Sequence, residues 1–332
     1  MVLKLIKGLF EIERKPLRGL LAAEWVVVAY LTATTLMMLF TWTKLPRPEP
    51  MLWGRFYALT TMAALWLVYR LVPCRVTLFC RVLLQVAMLS WWYPDTYSLN
   101  SILPNLDHHF ARCEQQLFGC QPALLFSQRM PWAPWSELMY LGYSSYFVLI
   151  VTVVFYYFLW RYQELQRTAF VVIGSFFTFY AIFVLLPVTG PQYYYLAAGV
   201  ENVSQGVFPD VGGYFLTHSD MMTMPGYQQG FFYHLVEQAH VTGERPTAAF
   251  PSSHIGITVV LLLLAWRAGA RRLKWFVGIM LGLMTLATVY IRAHYAIDVI
   301  AGYVAGIVFY AGLGFVFDRW CASSPASRKQ RN

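Results

Sequence analysis

The sequence predicts an all-α membrane protein, a polytopic bundle of about eight transmembrane helices. Residues of the set AVILMFWYC make up 58% of the chain and charged residues 12%, whereas soluble domains have about 45–50% and about 25%. Apolar runs of roughly 20 residues, the length that a helix needs to cross the hydrocarbon core, recur along the chain. The same composition excludes an intrinsically disordered chain, which would be polar and poor in aromatic residues.

Eight segments have the length and hydropathy of membrane spans. They lie at residues 20–43, 52–72, 76–94, 137–160, 168–187, 253–268, 274–292 and 295–317. The third is the weakest of these assignments, because Arg81 falls inside it.

The distribution of basic residues predicts the orientation. With the N-terminus in the cytoplasm, 17 of the 25 Lys and Arg residues lie in inside loops or tails and seven lie outside. Cytoplasmic loops carry such an excess of positive charge. We therefore expect both termini in the cytoplasm, and the net charge of +9 then needs no nucleic-acid partner.

Two long segments fall on the outer side. Residues 95–136 place apolar residues at helical spacing, and we expect an amphipathic helix at the membrane surface that ends near Gly119. Residues 188–250 are rich in Gly, Pro, Tyr and Gln and lack helical periodicity. We expect an irregular loop there, and an irregular loop of that length is usually functional.

The sequence predicts no metal and no cofactor. The five cysteines show no CxxC and no zinc-ligand spacing, which favours free thiols. Asp107, His108, His109 and Glu114 are the nearest approach to a ligand cluster. The two histidines are adjacent, and adjacent side chains on a helix are expected to point apart.

Two short polar segments at the outer face differ from ordinary membrane boundaries. Residues 251–254 read Pro-Ser-Ser-His and precede the sixth span. Ser252 or Ser253 can cap this helix, and the free N–H groups of its first turn then form a site suited to phosphate. His254 lies in the same turn, where it can transfer a proton to a bound group.

The second segment lies where the seventh span turns into the eighth. His294 and Asp298 are four residues apart, so on one helix they would share a face. A carboxylate there would bind one imidazole N–H and leave the other nitrogen as a nucleophile, with positive charge supplied by Arg292. The alternative is a boundary histidine in a structural pair. We favour a catalytic site, because a carboxylate at membrane depth is costly and a second histidine reaches the same face.

At these residues the chain resembles the type-2 phosphatidic acid phosphatase superfamily, in particular its inositol phosphorylceramide synthase-like branch. Residues 251–254 match the second signature of the superfamily, Pro-Ser-x-His. His294 and Asp298 match the His-x-x-x-Asp of its third signature. Residues 186–194 are similar to the Pro-rich segment that replaces the first signature in this branch. The third-signature Arg would fall at Thr288, and Arg292, one turn later, is its expected substitute.

The resemblance implies a six-helix core and a division of the chain. Residues 1–94 would be N-terminal membrane helices, residues 95–317 a catalytic membrane domain and residues 318–332 a basic cytoplasmic tail. It implies that His294 forms a phosphohistidine, that Asp298 orients this ring and that His254 moves protons. The expected substrate-binding residues are Arg292, Ser252, Ser253, Gln192, Tyr193 and Tyr194.

The resemblance implies an integral membrane lipid phosphotransferase that moves a phosphoinositol-like headgroup to a ceramide-like or other lipid acceptor. The substrates would be membrane lipids, met at the extracytoplasmic face, which is the periplasm or the Golgi lumen. The Lys and Arg residues of the family's first signature and the Arg of its third are missing here. This favours a phosphodiester substrate, with one negative charge, over a phosphate monoester. A lipid phosphate or polyprenyl diphosphate phosphatase is the alternative. A transporter or a non-catalytic membrane protein is a more remote alternative, and the sequence contains no inverted repeat that would support it. The sequence gives no oligomeric state.

Overall fold

The computed structural model describes residues 7–323, over which the chain is helical and contains no strand. Most of the expected basic tail, from residue 324 onward, lies outside the described residues. The helices are α1 (Ala22–Phe40), α2 (Pro48–Leu71), α3 (Arg75–Asn100), α4 (Asp107–Phe118), α5 (Pro122–Arg129), α6 (Ala133–Trp160), α7 (Leu165–Leu185), α8 (Pro191–Ala198), α9 (Val200–Ser204), α10 (Phe231–Gly243), α11 (Ser253–Arg267), α12 (Arg271–Tyr290) and α13 (Ala296–Ser323).

The predicted bundle of membrane helices is confirmed. Between residues 7 and 323, seven helices are long and apolar enough to span a bilayer: α1, α2, α3, α6, α7, α12 and α13. The remaining predicted span is α11, which is apolar but has only 15 residues. It rises about 22 Å, less than the ~30 Å of the hydrocarbon core. Ser252 and Ile255 at its start are fully buried, so α11 begins inside the protein and not at the lipid surface.

Glycines bring α11 and α13 into close contact. A Cβ atom on Gly306 would lie 2.5 Å from the carbonyl oxygen of Gly256, and one on Gly302 would lie 2.6 Å from that of Ser252. Small residues four apart let two membrane helices approach this closely. The contact fixes the first turn of α11 against the first turns of α13.

Buried ion pairs join the three N-terminal helices. Arg81, the charge inside the third predicted span, is fully buried and its Nε lies 2.9 Å from Oε1 of Glu24 on α1. Arg55 on α2 pairs with Asp95 on α3 at 2.8 Å. Paired in this way, the arginine charges are compatible with a membrane interior, and loss of one partner would leave an uncompensated buried charge.

Helix α3 continues past residue 94, the expected boundary between the N-terminal membrane helices and the catalytic domain. It ends at Asn100, whose side-chain amide donates to the Phe183 carbonyl (3.1 Å) and to Thr247 Oγ1 (2.6 Å). The third span therefore reaches into the following segment and contacts both α7 and the long loop before α11.

The surface helix expected within residues 95–136 is present as α4. It is followed by Gly119 in the left-handed conformation, with a φ of 67°. Leu117 and Phe118 near its end are exposed, as expected of apolar side chains that face lipid.

The irregular loop expected at 188–250 is wrong in part, because α8, α9 and α10 lie within it. Helix α8 has eight residues between Gly190 and Gly199, too few to show a period. Helix α10 exposes Phe231 and Val241 but buries Tyr233 and Val236. Apolar residues on both faces hide the amphipathic pattern that sequence analysis depends on.

Candidate active site

Two histidines, 40 residues apart in sequence, meet at one end of the bundle. His254 lies in the first turn of α11, and His294 lies in the turn between α12 and α13. His254 Nδ1 is 3.3 Å from His294 Nε2. The two rings therefore share one site, in agreement with the proximity expected for a nucleophile and its acid–base partner.

The predicted hydrogen bond between His294 and Asp298 is wrong. Helix α13 begins at Ala296, so His294 precedes the helix and does not share a helix face with Asp298. His294 Nδ1 instead bonds to the Ala249 carbonyl at 2.8 Å. Asp298 Oδ2 accepts the Tyr295 N–H at 2.8 Å and lies 3.6 Å from His294 Nδ1. Asp298 thus caps α13 and holds its carboxyl group 3.6 Å from the His294 ring.

These contacts define the protonation of the resting site. A carbonyl oxygen can only accept, so the His294 proton is on Nδ1, and Nε2 presents its lone pair to the Nδ1–H of His254. Burial lowers the pKa of His294 to about 4. The ring is therefore neutral at pH 7 and exposes an unprotonated nitrogen, which is the nucleophilic form of imidazole.

Backbone hydrogen bonds join the three segments that carry the site. They run from Ala249 N–H to the Val188 carbonyl (2.9 Å), from Gln192 N–H to that of Arg292 (2.8 Å), and from Ser252 N–H to that of Asp298 (3.0 Å). Gly190, at a φ of 92°, allows its segment to pack closely against the turn that carries His294, because a Cβ there would lie 2.6 Å from the Ala293 oxygen. The site is thus a small hydrogen-bonded body of loops between helices.

Two carboxylates of α4, which sequence analysis weighed only as metal ligands, support these loops. Asp107 is fully buried and accepts the N–H groups of Thr189 (2.7 Å) and Gly190 (2.9 Å) and the hydroxyl of Tyr295 (3.0 Å). Burial raises the pKa of Asp107, although these donors favour its charged form.

Glu114 holds the start of α13. Its two oxygens accept the N–H groups of Ala296 (2.8 Å) and Ile297 (3.0 Å). Burial raises its pKa to about 7. Asp107 and Glu114 are seven residues apart on one helix and share a face. Two acidic residues on the inward face of an amphipathic helix are the signal that sequence analysis did not use.

The expected substrate-binding residues divide into two groups. Ser252 Oγ accepts the Ile255 N–H at 3.4 Å and caps α11, and Ser253 is the first, partly exposed residue of that helix. Gln192, Tyr193 and Tyr194 are buried on α8. The Tyr194 hydroxyl donates to the Pro209 carbonyl, so it supports the fold of the 188–250 segment.

Arg292 lies next to the site in sequence but bonds elsewhere. Its guanidinium donates to Ser127 Oγ (3.3 Å) and to the Thr223 carbonyl (3.4 Å). Thr288, at the position of the family's arginine, donates its hydroxyl to Met284 within its own helix. The Thr288 carbonyl accepts the His294 N–H at 3.1 Å, which helps to shape the turn.

Aromatic side chains from α6 enclose His254. The rings of Tyr143 and Tyr146 pack against it with centroid distances of 4.7 and 4.4 Å. The Tyr143 hydroxyl donates to Glu244 at 3.5 Å, and the Tyr93 hydroxyl donates to the same carboxylate at 3.2 Å. None of these four residues was among the candidates from sequence.

Across residues 7–323, no group of three His, Cys, Asp or Glu side chains is arranged to hold a metal ion. The rings of His108 and His109 lie 3.9 Å apart, so the expectation that they point apart is wrong. The cysteines whose side chains are described, Cys74, Cys80, Cys113 and Cys120, are free thiols.

A family model described as the PAP2 superfamily, that of the type-2 phosphatidic acid phosphatases, matches residues 108–312, which is more than half of the 332 residues. The chain belongs to this superfamily. It is therefore an enzyme of the lipid phosphatase or phosphotransferase type. Comparisons with curated proteins and with solved structures find no match.

The residues matched to the PAP2 superfamily include both histidines, Asp298 and Glu114. We predict that Glu114→Gln destabilises the protein by about 1–3 kcal/mol, because the amide group cannot accept both N–H bonds and leaves one buried donor unpaired. Its apparent melting temperature in detergent should fall by several degrees. The exposed Glu201 on α9 provides the control, since Glu201→Gln removes the same charge at the surface. Equal melting temperatures for both variants would contradict the capping role.

Proposed function

We propose that the protein is a lipid phosphotransferase that works through a phosphohistidine at His294. It would move a phosphoinositol-like headgroup from a phosphodiester lipid to a ceramide-like or other lipid acceptor. The observation that carries this proposal is the neutral, hydrogen-bonded pair of His254 and His294, set in surroundings poor in positive charge.

The electrostatics favour a diester substrate. Among the hydrogen bonds and ion pairs of residues 7–323, none joins a Lys or Arg to either histidine. The Glu244 carboxylate acts on His294, where its charge opposes the larger lowering of the pKa by burial. A phosphate dianion would meet this negative charge with little compensation, whereas a diester carries a single charge. A diester donor leaves a headgroup on the enzyme that must pass to an acceptor.

In the first step, Nε2 of His294 attacks phosphorus and forms a P–N bond. The P–O bond to the lipid breaks, and His254, which takes up a proton when the anionic phosphate binds, enters as imidazolium, gives that proton to the leaving oxygen and becomes neutral. An in-line displacement needs phosphorus and the leaving oxygen between the two rings. The resting distance of 3.3 Å is too short for both, so the rings must move apart when the donor binds.

In the second step, the acceptor hydroxyl attacks the phosphohistidine. His254 takes the hydroxyl proton, the P–N bond breaks, and His294 returns to its neutral form. The Ala249 carbonyl and the nearby charge of Asp298 stabilise the positive charge that develops on the His294 ring. We assign the phosphate oxygens to the N–H groups at the start of α11 that Ser252 does not cap.

An apolar groove supports a lipid substrate. It runs between α4 and α13 with a volume of about 450 Å³ and is lined by Phe110, Cys113, Leu117, Phe250, Ile297 and Ile300 among others. Phe250 directly precedes the 251–254 motif, and Ile297 directly precedes Asp298. The groove is thus lined by residues adjacent in sequence to both segments of the site, and we assign it to an acyl chain of the substrate.

The orientation remains a proposal that rests on the basic residues. His254 lies at the N-terminal end of α11, the end at which α4 and the 188–250 segment also lie. The inside loops predicted from Lys and Arg lie at the opposite helix ends. We therefore place the site on the extracytoplasmic face and the catalytic unit at residues 95–317, which contain the family match.

Headgroup transfer tests the function directly. Purified protein in detergent, given phosphatidylinositol labelled in its headgroup, should label ceramide. His294→Ala should abolish both transfer and hydrolysis, because no covalent intermediate can form, with a loss of at least about 10³-fold. His234→Ala, a change of an exposed histidine on α10, should keep the wild-type rate. Phosphate release from lipid monoesters without transfer would support the phosphatase instead, and an active His294→Ala would refute the mechanism.

The groove has its own test. Ile300→Trp should fill the groove and raise KM for long-chain lipid donors, while a short-chain, water-soluble donor should be affected little. Ile307→Trp is the matched control, since Ile300 and Ile307 lie on the same helix and are 55% and 54% exposed. Equal KM values for the two tryptophan variants with the long-chain donor would show that the acyl chain binds elsewhere.

A further inference from the structure

A third histidine borders the catalytic pair. His240 on α10 is only 3% exposed, and neither of its ring nitrogens has a hydrogen-bond partner. Its ring packs edge-on against Tyr143 at a centroid distance of 5.9 Å. The same tyrosine stacks on His254. His240 is therefore one aromatic ring away from the catalytic histidine.

Glu244 lies one helical turn after His240. Its Oε1 is 3.8 Å from His240 Nε2, which is beyond hydrogen-bond distance. The hydroxyls of Tyr93 and Tyr143 hold the carboxylate in place and leave it with lone pairs free to accept further bonds. The two residues thus present an imidazole and a carboxylate side by side, close to the reacting histidines.

The chemistry of this pair selects its ligand. A neutral imidazole offers one N–H donor and one acceptor nitrogen, and a carboxylate only accepts. A second anion would be repelled by Glu244. An ammonium group donates only and leaves the imidazole N–H without an acceptor. A hydroxyl group donates to Glu244 and accepts from His240, so it pairs the buried imidazole N–H with the carboxylate at a place where an unpaired donor is costly.

We propose that His240 and Glu244 form a hydroxyl-binding site for the substrate beside the catalytic histidines. This inference rests on the proposed transferase function. The hydroxyl comes either from the alcohol acceptor or from the polyol headgroup of the donor. In both cases the pair determines which substrate is used, without touching phosphorus.

The experiment measures KM and kcat separately for donor and acceptor in detergent. The test variants are His240→Phe, which removes both hydrogen-bonding atoms, and Glu244→Gln, which keeps the shape but adds a donor. His240→Gln keeps one acceptor and one donor and serves as the conservative rescue. His234→Phe on the same helix is the matched control, because His234 is exposed and pairs with Glu237 at the surface. Melting temperature and elution volume show which variants are folded.

We expect His240→Phe and Glu244→Gln to raise one KM by about tenfold or more, with a much smaller change in kcat. His240→Gln should recover part of the loss, and His234→Phe should match the wild type. A raised KM for ceramide identifies the acceptor hydroxyl. A raised KM for phosphatidylinositol, with none for phosphatidylcholine, identifies the headgroup.

The site would be disproved if both KM values stayed within twofold of wild type in folded His240→Phe and Glu244→Gln, or if kcat alone fell. A wrong proposed function would give a different result, because the wild-type protein itself would then transfer no headgroup to ceramide. In that case the KM for donor hydrolysis still decides whether His240 and Glu244 bind a headgroup hydroxyl, and an unchanged value overturns the inference.

Discussion

Burial away from water is the constraint on which the site depends. The segments that carry His254 and His294 are not helical throughout, and unpaired backbone groups buried there would each cost several kcal/mol. Bonds between the loops and the carboxylates of α4 remove this cost. The bond from His294 to the Ala249 carbonyl belongs to the same system. The interactions that pair the buried backbone groups of these loops therefore also set the tautomer of His294.

The charged side chains near the site also bond mainly to backbone groups and neighbouring segments. Asp298, Asp107 and Glu114 each accept backbone N–H groups, so their role is first to hold loops and helix ends. Asp298 is the only one of the three at ion-pair distance from His294. Arg292 bonds to the neighbouring segments and not to the histidines. The described residues thus bring few cations to the two histidines, and the proposed substrate with one negative charge suits these surroundings.

The sequence predicted the helical membrane bundle, a helix ending near Gly119 and the meeting of the two histidines, since each leaves a signal in hydropathy, periodicity or motif. It did not predict the partner of His294. A contact with the Ala249 carbonyl depends on backbone conformation and has no residue type to mark it. The helices within 188–250 were missed because short or evenly apolar helices lack a clear period. No motif or spacing in the sequence marks His240 and Glu244, and only tertiary packing places them beside Tyr143.

The stereochemical course of the reaction at phosphorus tests the central claim most directly. A phosphatidylinositol donor made chiral with a phosphorothioate can be followed into the ceramide product, whose phosphorus is also chiral. Each in-line displacement inverts phosphorus. Transfer through a phosphohistidine at His294 comprises two displacements, so we predict retention of configuration. Inversion would show that the acceptor attacks the donor directly, and it would contradict the role of His294 as the nucleophile.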